Sequence, residues 1–460
     1  MATVVAGSVG SGPTGRSLPR RSAAHWGVRA VLAAGAVAVV GLWWQDTNSA
    51  SISTFGAGIT AAGRVAGLVA AYLVLVQLLL MARLPWFERS VGLDRLAAWH
   101  RGLGTNVVLL IAVHVLLIVF GYSLTVHRQP IAEFWTVFTT YPDMWKATIG
   151  VILFFAVGIS SARGLRARLS YEAWYWLHVT AYLAVALAFF HQTSNGADFI
   201  GHPLNKALWT LFYLAVALGI LVFRVAVPVA VAFVHRMVVD RVVPEAPGVV
   251  SVWIAGRNLD RLAAAPGQFL LWRFLAPGHL LTAHPYSLSA PVMPGLLRIT
   301  VKEAGDHSRT IADLKPGTRV LAEGPFGHFT AAVAARRKVL LVGGGSGIAP
   351  VRALTEELSD AGRNVTVVYR ASRSADLALG GELAALAEAG RITVHWVVGT
   401  RRELGHDPLS ADQLSAAVPD LTQRDIFICG PSGMTLAVLD ALRRLGVRRD
   451  QIHTEDFTLR

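Results

Sequence analysis

The stretch AWHRGLGTNVVLLIAVHVL, residues 98–116, sets His100 and His114 fourteen positions apart in a sequence otherwise suited to the interior of a lipid bilayer. Two imidazoles in that setting need a chemical reason. Of the 460 residues, 53% are hydrophobic and the mean hydropathy is +0.49, too apolar for an ordinary soluble protein. The excess lies before about residue 235. Apolar runs at 27–44, 64–82, 103–122, 147–161, 172–190 and 207–223 each approach the roughly 20 residues that cross a hydrocarbon core, and they predict six membrane helices.

Lys and Arg are retained on the cytoplasmic side, so their distribution predicts orientation. Arg16, Arg20, Arg21 and Arg29 precede the first span, Arg83, Arg89, Arg95 and Arg101 follow the second, and Arg163, Arg166 and Arg168 follow the fourth. The opposite loops hold only Arg128, Lys146 and Lys206. Both termini are expected inside, in a multi-pass plasma-membrane protein. Residues 1–25, rich in Gly, Ser, Pro and Arg, are expected to be a disordered basic leader rather than a cleaved signal. The net charge of +13 follows much of this inside bias and forms no block elsewhere, which argues for membrane lipid and against nucleic acid as a partner. Cys429 is the only cysteine, so an intrachain disulfide and any cysteine-ligated cluster or zinc site are excluded.

His100 and His114 have counterparts in YEAWYWLHVTAYLAVALAFFHQT, residues 171–193, which carries His178 and His191 thirteen positions apart. The third and fifth spans run in the same direction, so His100 and His178 share the inner depth and His114 and His191 the outer one. A rise of about 1.5 Å per residue separates the two levels by roughly 20 Å. Opposed imidazoles supply both axial ligands of an iron porphyrin held between helices, so the four histidines predict two stacked b haems. A lone membrane histidine would instead read as an interhelical hydrogen bond or a proton relay. Fourteen residues return to nearly one helical face while thirteen do not, which requires a local irregularity in the fifth span or porphyrins rotated relative to each other. Arg64, at the start of the second apolar run, either pairs with a haem propionate or snorkels to the interface. His25, His127 and His202 fall in the leader and outer loops, where solvated roles are expected.

After residue 235 the pattern changes. GVVSVWIAG, GQFLLWRFL, HPYSLSA, LLRITVKEA and TRVLAEGPFG are short, β-rich and punctuated by Gly or Pro, which predicts a small antiparallel β-barrel over 236–332. Over 333–460 the apolar strands KVLLVGGG, NVTVVYR, RITVHWVVG and DIFICG alternate with helical stretches, which predicts an α/β domain with a doubly wound parallel sheet. The fold class is thus a six-helix membrane bundle over 26–235 followed by these two domains. LLVGGGSGIAPVRAL follows the first parallel strand and opens a helix; its Gly343, Gly344, Gly345 and Gly347 allow backbone to approach a pyrophosphate met by free N–H groups.

HPYSLS at 284–289, GDHSRT at 305–310, GPFG at 324–327, GGGSGIAP at 343–350 and ICGPSGM at 428–434 form an ordered series that resembles ferredoxin–NADP reductase modules. Joined to six spans with paired histidines, the chain from about residue 60 onward resembles the transmembrane ferric reductase and NADPH oxidase superfamily. The resemblance implies FAD, two haems b and NADPH as cofactors. It places Tyr286, beside Pro285, against the isoalloxazine ring, Ser287 near its reactive nitrogen, and His284 at its ribityl or phosphate region, where soluble relatives carry arginine. It assigns Gly305, Ser308 and Thr310 to the FAD pyrophosphate, although Ser308 also suits a simple capping turn. It brings Cys429, Gly430 and Pro431 to the nicotinamide, against the plainer reading of Cys429 as a small buried hydrophobe. Pro350 in place of a final glycine is characteristic of the family, and Phe457 in HTEDF stands as a flavin ring cover although the chain continues to Arg460. Arg370 and Arg373 in VVYRASRS favour NADPH over NADH, with Asp376 the nearest carboxylate.

These residues imply hydride transfer from cytoplasmic NADPH to FAD, then single electrons through inner and outer haem to an extracytoplasmic acceptor. A ferric chelate is the leading acceptor. Oxygen, in a superoxide-forming oxidase, is the first alternative; the others are a relay to a periplasmic or cell-surface protein and a flavin reductase on haem-free anchors. The outer loops hold no recognisable iron site, and the oligomeric state is not legible.

Overall fold

A computed structural model describes residues 21–47, 52–280 and 282–455. The first twenty residues of the leader and Phe457 lie outside the described residues. Among the described residues, ten α-helices precede the first strand: α1 (Arg21–Asp46), α2 (Phe55–Leu80), α3 (Pro85–Val91), α4 (Leu93–Val126), α5 (Pro130–Thr140), α6 (Met144–Ser161), α7 (Arg163–Arg166), α8 (Tyr171–Asn195), α9 (Pro203–Leu221) and α10 (Val227–His235). Six stretches, Trp26–Gln45, Phe55–Leu80, Arg95–Val126, Met144–Ser161, Tyr171–Asn195 and Pro203–His235, are helices long and apolar enough to cross a membrane.

The starts of two spans are set by side-chain caps. Thr54 accepts from the Ala57 amide at 3.2 Å before α2, and Ser170 from the Ala173 amide at 3.2 Å before α8. The second span starts nine residues before Arg64, so Arg64 lies within α2 rather than at its head. α8 is an unbroken α-helix, which removes the expected irregularity and leaves the rotated arrangement of the two histidine levels. The irregular span is the sixth. There a π turn over Val222–Ala226 joins α9 to α10, and the ring of Pro228 in the first turn of α10 removes a backbone donor.

Small residues set the spacing of α2 and α4. A Cβ on Gly56 would lie 3.1 Å from the Gly121 carbonyl oxygen, and one on Gly121 would lie 2.8 Å from the Thr60 nitrogen. Backbone therefore approaches backbone, the usual way to gain dispersion contact where lipid supplies no hydrophobic drive. α8 packs in the same way on α6, while α4 and α8 stand apart, so the gap between them is spanned by side chains.

The next six strands are β1 (Val238–Ala246), β2 (Val249–Ala255), β3 (Phe269–Phe274), β4 (His284–Ser287), β5 (Leu296–Lys302) and β6 (Val320–Phe326), with the short helix α11 (Asp306–Arg309) before β6. They form two antiparallel three-stranded sheets, β1-β2-β5 and β4-β3-β6, instead of the expected closed barrel. Val252, Ile254, Leu270, Trp272, Leu297 and Ile299 belong to one core shared by both sheets. Closure stops at the single bridges Val238 to Arg319 and Leu288 to Ile299. The edge strands explain this: β1 carries two register shifts and Pro244, and β4 has four residues including Pro285, neither proline offering an N–H to a neighbour.

β7 (Lys338–Gly344), β8 (Asn364–Ala371), β9 (Ile392–Val398), β10 (Asp425–Cys429) and β11 (Ile452–Glu455) build a parallel sheet in the order β11-β10-β7-β8-β9. The last strand, in HTE, carries no clear apolar alternation and escapes sequence reading. α12 (Ile348–Asp360) and α13 (Gly380–Glu388) cover one face; after α14 (Arg401–Leu404), α15 (Ala411–Ala417) and α16 (Ser432–Arg444) cover the other. Both faces are therefore dry, as parallel sheets require.

Candidate functional site

The inner histidine level joins α4 to α8. The His100 and His178 rings face each other edge to face with centroids 5.9 Å apart. Two ring nitrogens bound on opposite sides of one metal, each about 2.0–2.1 Å away, place their centroids roughly 6 Å apart. The pair has that spacing. His100 Nδ1 lies 3.3 Å from the Gln77 carbonyl oxygen of α2, and Gln77 Nε2 donates in return to the His100 carbonyl at 3.0 Å. At the outer level His114 Nδ1 meets the Gly63 carbonyl at 2.8 Å, and His191 lies within electrostatic reach of His114. Both α4 histidines thus commit Nδ1–H to a backbone oxygen, which leaves Nε2 as the nitrogen that could hold a metal.

Glycine provides the room. A Cβ on Gly67 would lie 2.4 Å from His114 Nδ1, so no larger residue fits beneath that ring. Between the two levels Val107, Ile111, Phe154, Ala184 and Val185 pack into an apolar layer that keeps water from the space separating them. Arg64 follows Gly63 and lies within electrostatic reach of Tyr141, whose ring stacks on Tyr122 with centroids 6.2 Å apart. His127 stands at the cap position after α4 and His202 at the cap position before α9.

In the C-terminal half, β4 presents HPYS. Ser287 is 3% exposed and its Oγ is buried with no hydrogen-bond partner, an orphan hydroxyl where a flavin ring nitrogen would fill the vacancy in bonding. Burial pushes the Tyr286 phenol well above its ordinary range. His284, Pro285 and Tyr286 are half-buried, and the His284 ring stacks on His307 with centroids 3.6 Å apart. His307 Nε2 lies 2.8 Å from His279 Nδ1, and His279 Nε2 lies 3.1 Å from Thr310 Oγ1. This row joins the HPYS and GDHSRT motifs. Sequence reading missed His279 and His307, because residue 279 stands outside any motif and residue 307 lies between the motif residues to which the resemblance gives a role. Ser308 Oγ accepts from the amides of Ala304 and Gly305 at 2.8 and 3.0 Å, so its hydroxyl caps its own turn.

The ends of β7 and β10 meet in register, Gly343 opposite Cys429. Gly345 has φ +56°, and a Cβ on Gly347 would lie 2.1 Å from the Cys429 carbonyl oxygen, so only glycine admits this approach. Gly344 and Gly430 share the cradle, since a Cβ on Gly430 would lie 3.0 Å from the Gly344 carbonyl; Pro431 closes its side and Pro350 lies buried in the first turn of α12. The Cys429 thiol points into the core beside Phe427, while its backbone lines the cradle. Arg370, at the end of β8, turns its guanidinium onto the carbonyls of Ala371 and Val397. Arg373 grips Asp376 with two contacts, at 3.1 and 2.8 Å, a pairing the sequence reading did not anticipate.

Residues 66–189 match the family described as ferric reductase like transmembrane component, and residues 341–440 match the oxidoreductase NAD-binding domain. The chain has the domain architecture of the transmembrane ferric reductase and NADPH oxidase superfamily. This ferric reductase-like chain combines six helices long and apolar enough to cross a membrane with a region that matches an oxidoreductase NAD-binding domain. It is 33% identical over 226 residues to a stachydrine N-demethylase reductase subunit of Rhizobium meliloti, covering 47% of this chain and 64% of that one. It is 35% identical over 205 residues to the ferredoxin reductase component of a 3-ketosteroid-9-alpha-monooxygenase of Mycobacterium tuberculosis, covering 43% and 56%. The chain therefore spans about three fifths of the length of these curated relatives. A solved ferredoxin reductase in carbazole 1,9a-dioxygenase aligns at 24% identity and TM-score 0.41, covering 48% of this chain and 68% of that one.

Proposed function

We propose that this protein is a flavocytochrome b of the plasma membrane with both termini cytoplasmic, moving electrons from NADPH through FAD and two b haems to an extracytoplasmic acceptor. Ferric-chelate reduction is the reaction favoured. The observation that carries this reading is the facing of His100 and His178 between α4 and α8, with His191 of α8 within electrostatic reach of His114 of α4, Nδ1 of His100 and His114 taken by α2 carbonyls and Nε2 left for iron. When bound, the haems and the flavin supply one-electron carriage and the conversion from a two-electron donor.

The chain's own groups do the rest. Gln77 and Gly63 fix the ligand tautomers, Gly67 admits the His114 ring, and the apolar layer around Phe154 excludes water between the levels. Ser287 offers its unpaired hydroxyl to the flavin, Tyr286 its ring, and His284 with His307 and Thr310 a polar row for the pyrophosphate side. The Gly343–Gly347 turn takes the nicotinamide dinucleotide's phosphates against the N-terminus of α12, a thirteen-residue helix. Arg370 and Arg373 serve the 2′-phosphate, and Arg64 a haem propionate.

Ferric-chelate reduction and oxygen consumption measured side by side in proteoliposomes, with NADPH on the cytoplasmic face, test the acceptor. Faster ferric reduction is expected; dominant superoxide release would assign the oxidase alternative. The relatives are named as reductase components and subunits, which favours a second reading in which a protein partner takes the electrons. Robust turnover of the purified chain with a small acceptor would remove it.

A further inference from the structure

A series of rings runs from the cytoplasmic module to the inner histidine level. Tyr286 and His284 lie on one face of β4 and stack with centroids 6.3 Å apart at 21°. His284 faces Tyr171, the first residue of α8, at 6.3 Å, and Tyr171 meets Trp174 one turn along at 5.9 Å. Trp174 stacks on His178, one further turn along, at 4.9 Å and 28°, and His178 meets His100.

Trp174 is held on several sides. Its Nε1 donates to Ser161 Oγ at 3.2 Å, and the same hydroxyl lies 3.4 Å from His178 Nδ1. The Arg166 guanidinium lies 4.6 Å from the Trp174 ring centroid and 5.8 Å from that of Tyr171. Groups from the end of α6, from α7 and from α8 thus converge on one indole. Simple filling of the bundle does not require this. It fixes the plane of the ring that packs on a ligand, and it satisfies the indole N–H with the hydroxyl that also orients the ligand.

We propose that Trp174 is the positioning residue of the inner haem. It clamps His178 with Ser161 and Arg166 and seats it against the ring series that ends at Tyr286, so that this edge is where an electron from the flavin enters the membrane half. The inference rests on the bis-histidine reading of His100 and His178. In the transfer one electron leaves the reduced flavin, one proton goes to water, and one ferric haem becomes ferrous; the rings of the series end unchanged.

The test uses the full chain loaded with haem and flavin, followed anaerobically by stopped flow after mixing with NADPH, together with low-temperature EPR of the oxidised haems. Trp174→Leu is expected to slow inner-haem reduction roughly 10–100-fold and to shift the inner-haem EPR signal, which reports ligand-ring orientation, with dye reduction by the flavin unchanged. Trp174→Phe is expected to restore most of the rate. Ser161→Ala, a milder change, is expected to shift the same signal with haem content intact. Wild-type rate and signal in Trp174→Leu would overturn the proposal, and if that variant does not fold, an unshifted signal in Ser161→Ala would overturn it. A wild-type chain that binds no haem would instead defeat the bis-histidine reading beneath it.

Discussion

His114 Nδ1 lies 2.8 Å from the carbonyl oxygen of Gly63, a contact between α4 and α2 that fixes which nitrogen of the outer histidine is free. Because Nδ1 is held by α2 and His191 of α8 lies within electrostatic reach of the ring, His114→Ala is expected to remove the outer haem and abolish transmembrane transfer. NADPH oxidation by a soluble dye should continue, since the C-terminal module keeps its own core. Loss of both activities, measured on the purified variant, would give His114 a folding role.

Gly67 supplies a sharper version of the same argument. An added methyl would lie 2.4 Å from His114 Nδ1, whereas one on Gly102 meets nothing within 4 Å. Both substitutions raise helix propensity by about 1 kcal/mol. Gly67→Ala is therefore expected to lower haem content at the outer level while Gly102→Ala leaves it unchanged, as read by haem absorbance per protein. Equal haem in the two variants would contradict the cradle.

The helical half and the C-terminal half meet through the segment from Arg83 to Leu93. Arg83 pairs with Glu323 of β6, Glu88 Oε1 accepts from the Gly327 amide at 3.4 Å, and Leu93 packs with Phe269, Leu271 and Phe326. Burial and the nearby Arg224 guanidinium hold Arg83 down to about 9. Glu323→Gln leaves that cation without its counter-charge, a change that costs about 3–5 kcal/mol where burial is complete and less here. Haem reduction by NADPH should slow while dye reduction persists; an unchanged ratio of the two rates would exclude a coupling role for the pair.

How far these features could be read in advance depends on whether they are written locally. The six spans, the approach of His100 to His178 and the glycine turn are legible because hydrophobic length, matched histidine spacing and turn chemistry are each written within short stretches. The pairing of Arg83 with Glu323 is not, since the two stand in separate domains and neither belongs to a motif. Barrel closure was misread because strand pattern records which residues are apolar, not whether an edge strand such as β4, with Pro285, can pair beyond its neighbour. Similarly, Arg373 looked like a free phosphate ligand, and the three-residue step to Asp376 that ties it down is visible only as geometry.

That tie has a kinetic consequence. Arg373→Ala should raise the Michaelis constant for NADPH by roughly tenfold or more and leave that for NADH nearly unchanged, the loss expected of one charge-assisted phosphate contact of about 1.5–3 kcal/mol. Asp376→Asn frees the guanidinium and should lower the constant for NADPH. Equal effects on both dinucleotides would undo the phosphate assignment.

The histidine row responds to pH. His307 is held down to about 3, first by burial and then by His284 and His279, both of which are also lowered by burial. The unfolded chain takes up a proton at this residue near pH 6.5, the folded chain only near 3, so the contribution is constant above pH 7 and stability falls as pH drops below about 6.5. The flavin-free chain should lose thermal stability between pH 7 and pH 5, and His307→Gln should flatten that slope. An identical slope in the variant would show that the row does not titrate with unfolding.

In the proposed flavocytochrome, α4 and α8 would clasp two iron porphyrins, one between His100 and His178 and one between His114 and His191. Haem extracted from the purified, intact chain and quantified against its flavin tests this most directly. Two b haems for each FAD, with b-type bands in the reduced-minus-oxidised spectrum, are predicted. Flavin without haem, from cells supplied with ample haem, would contradict it.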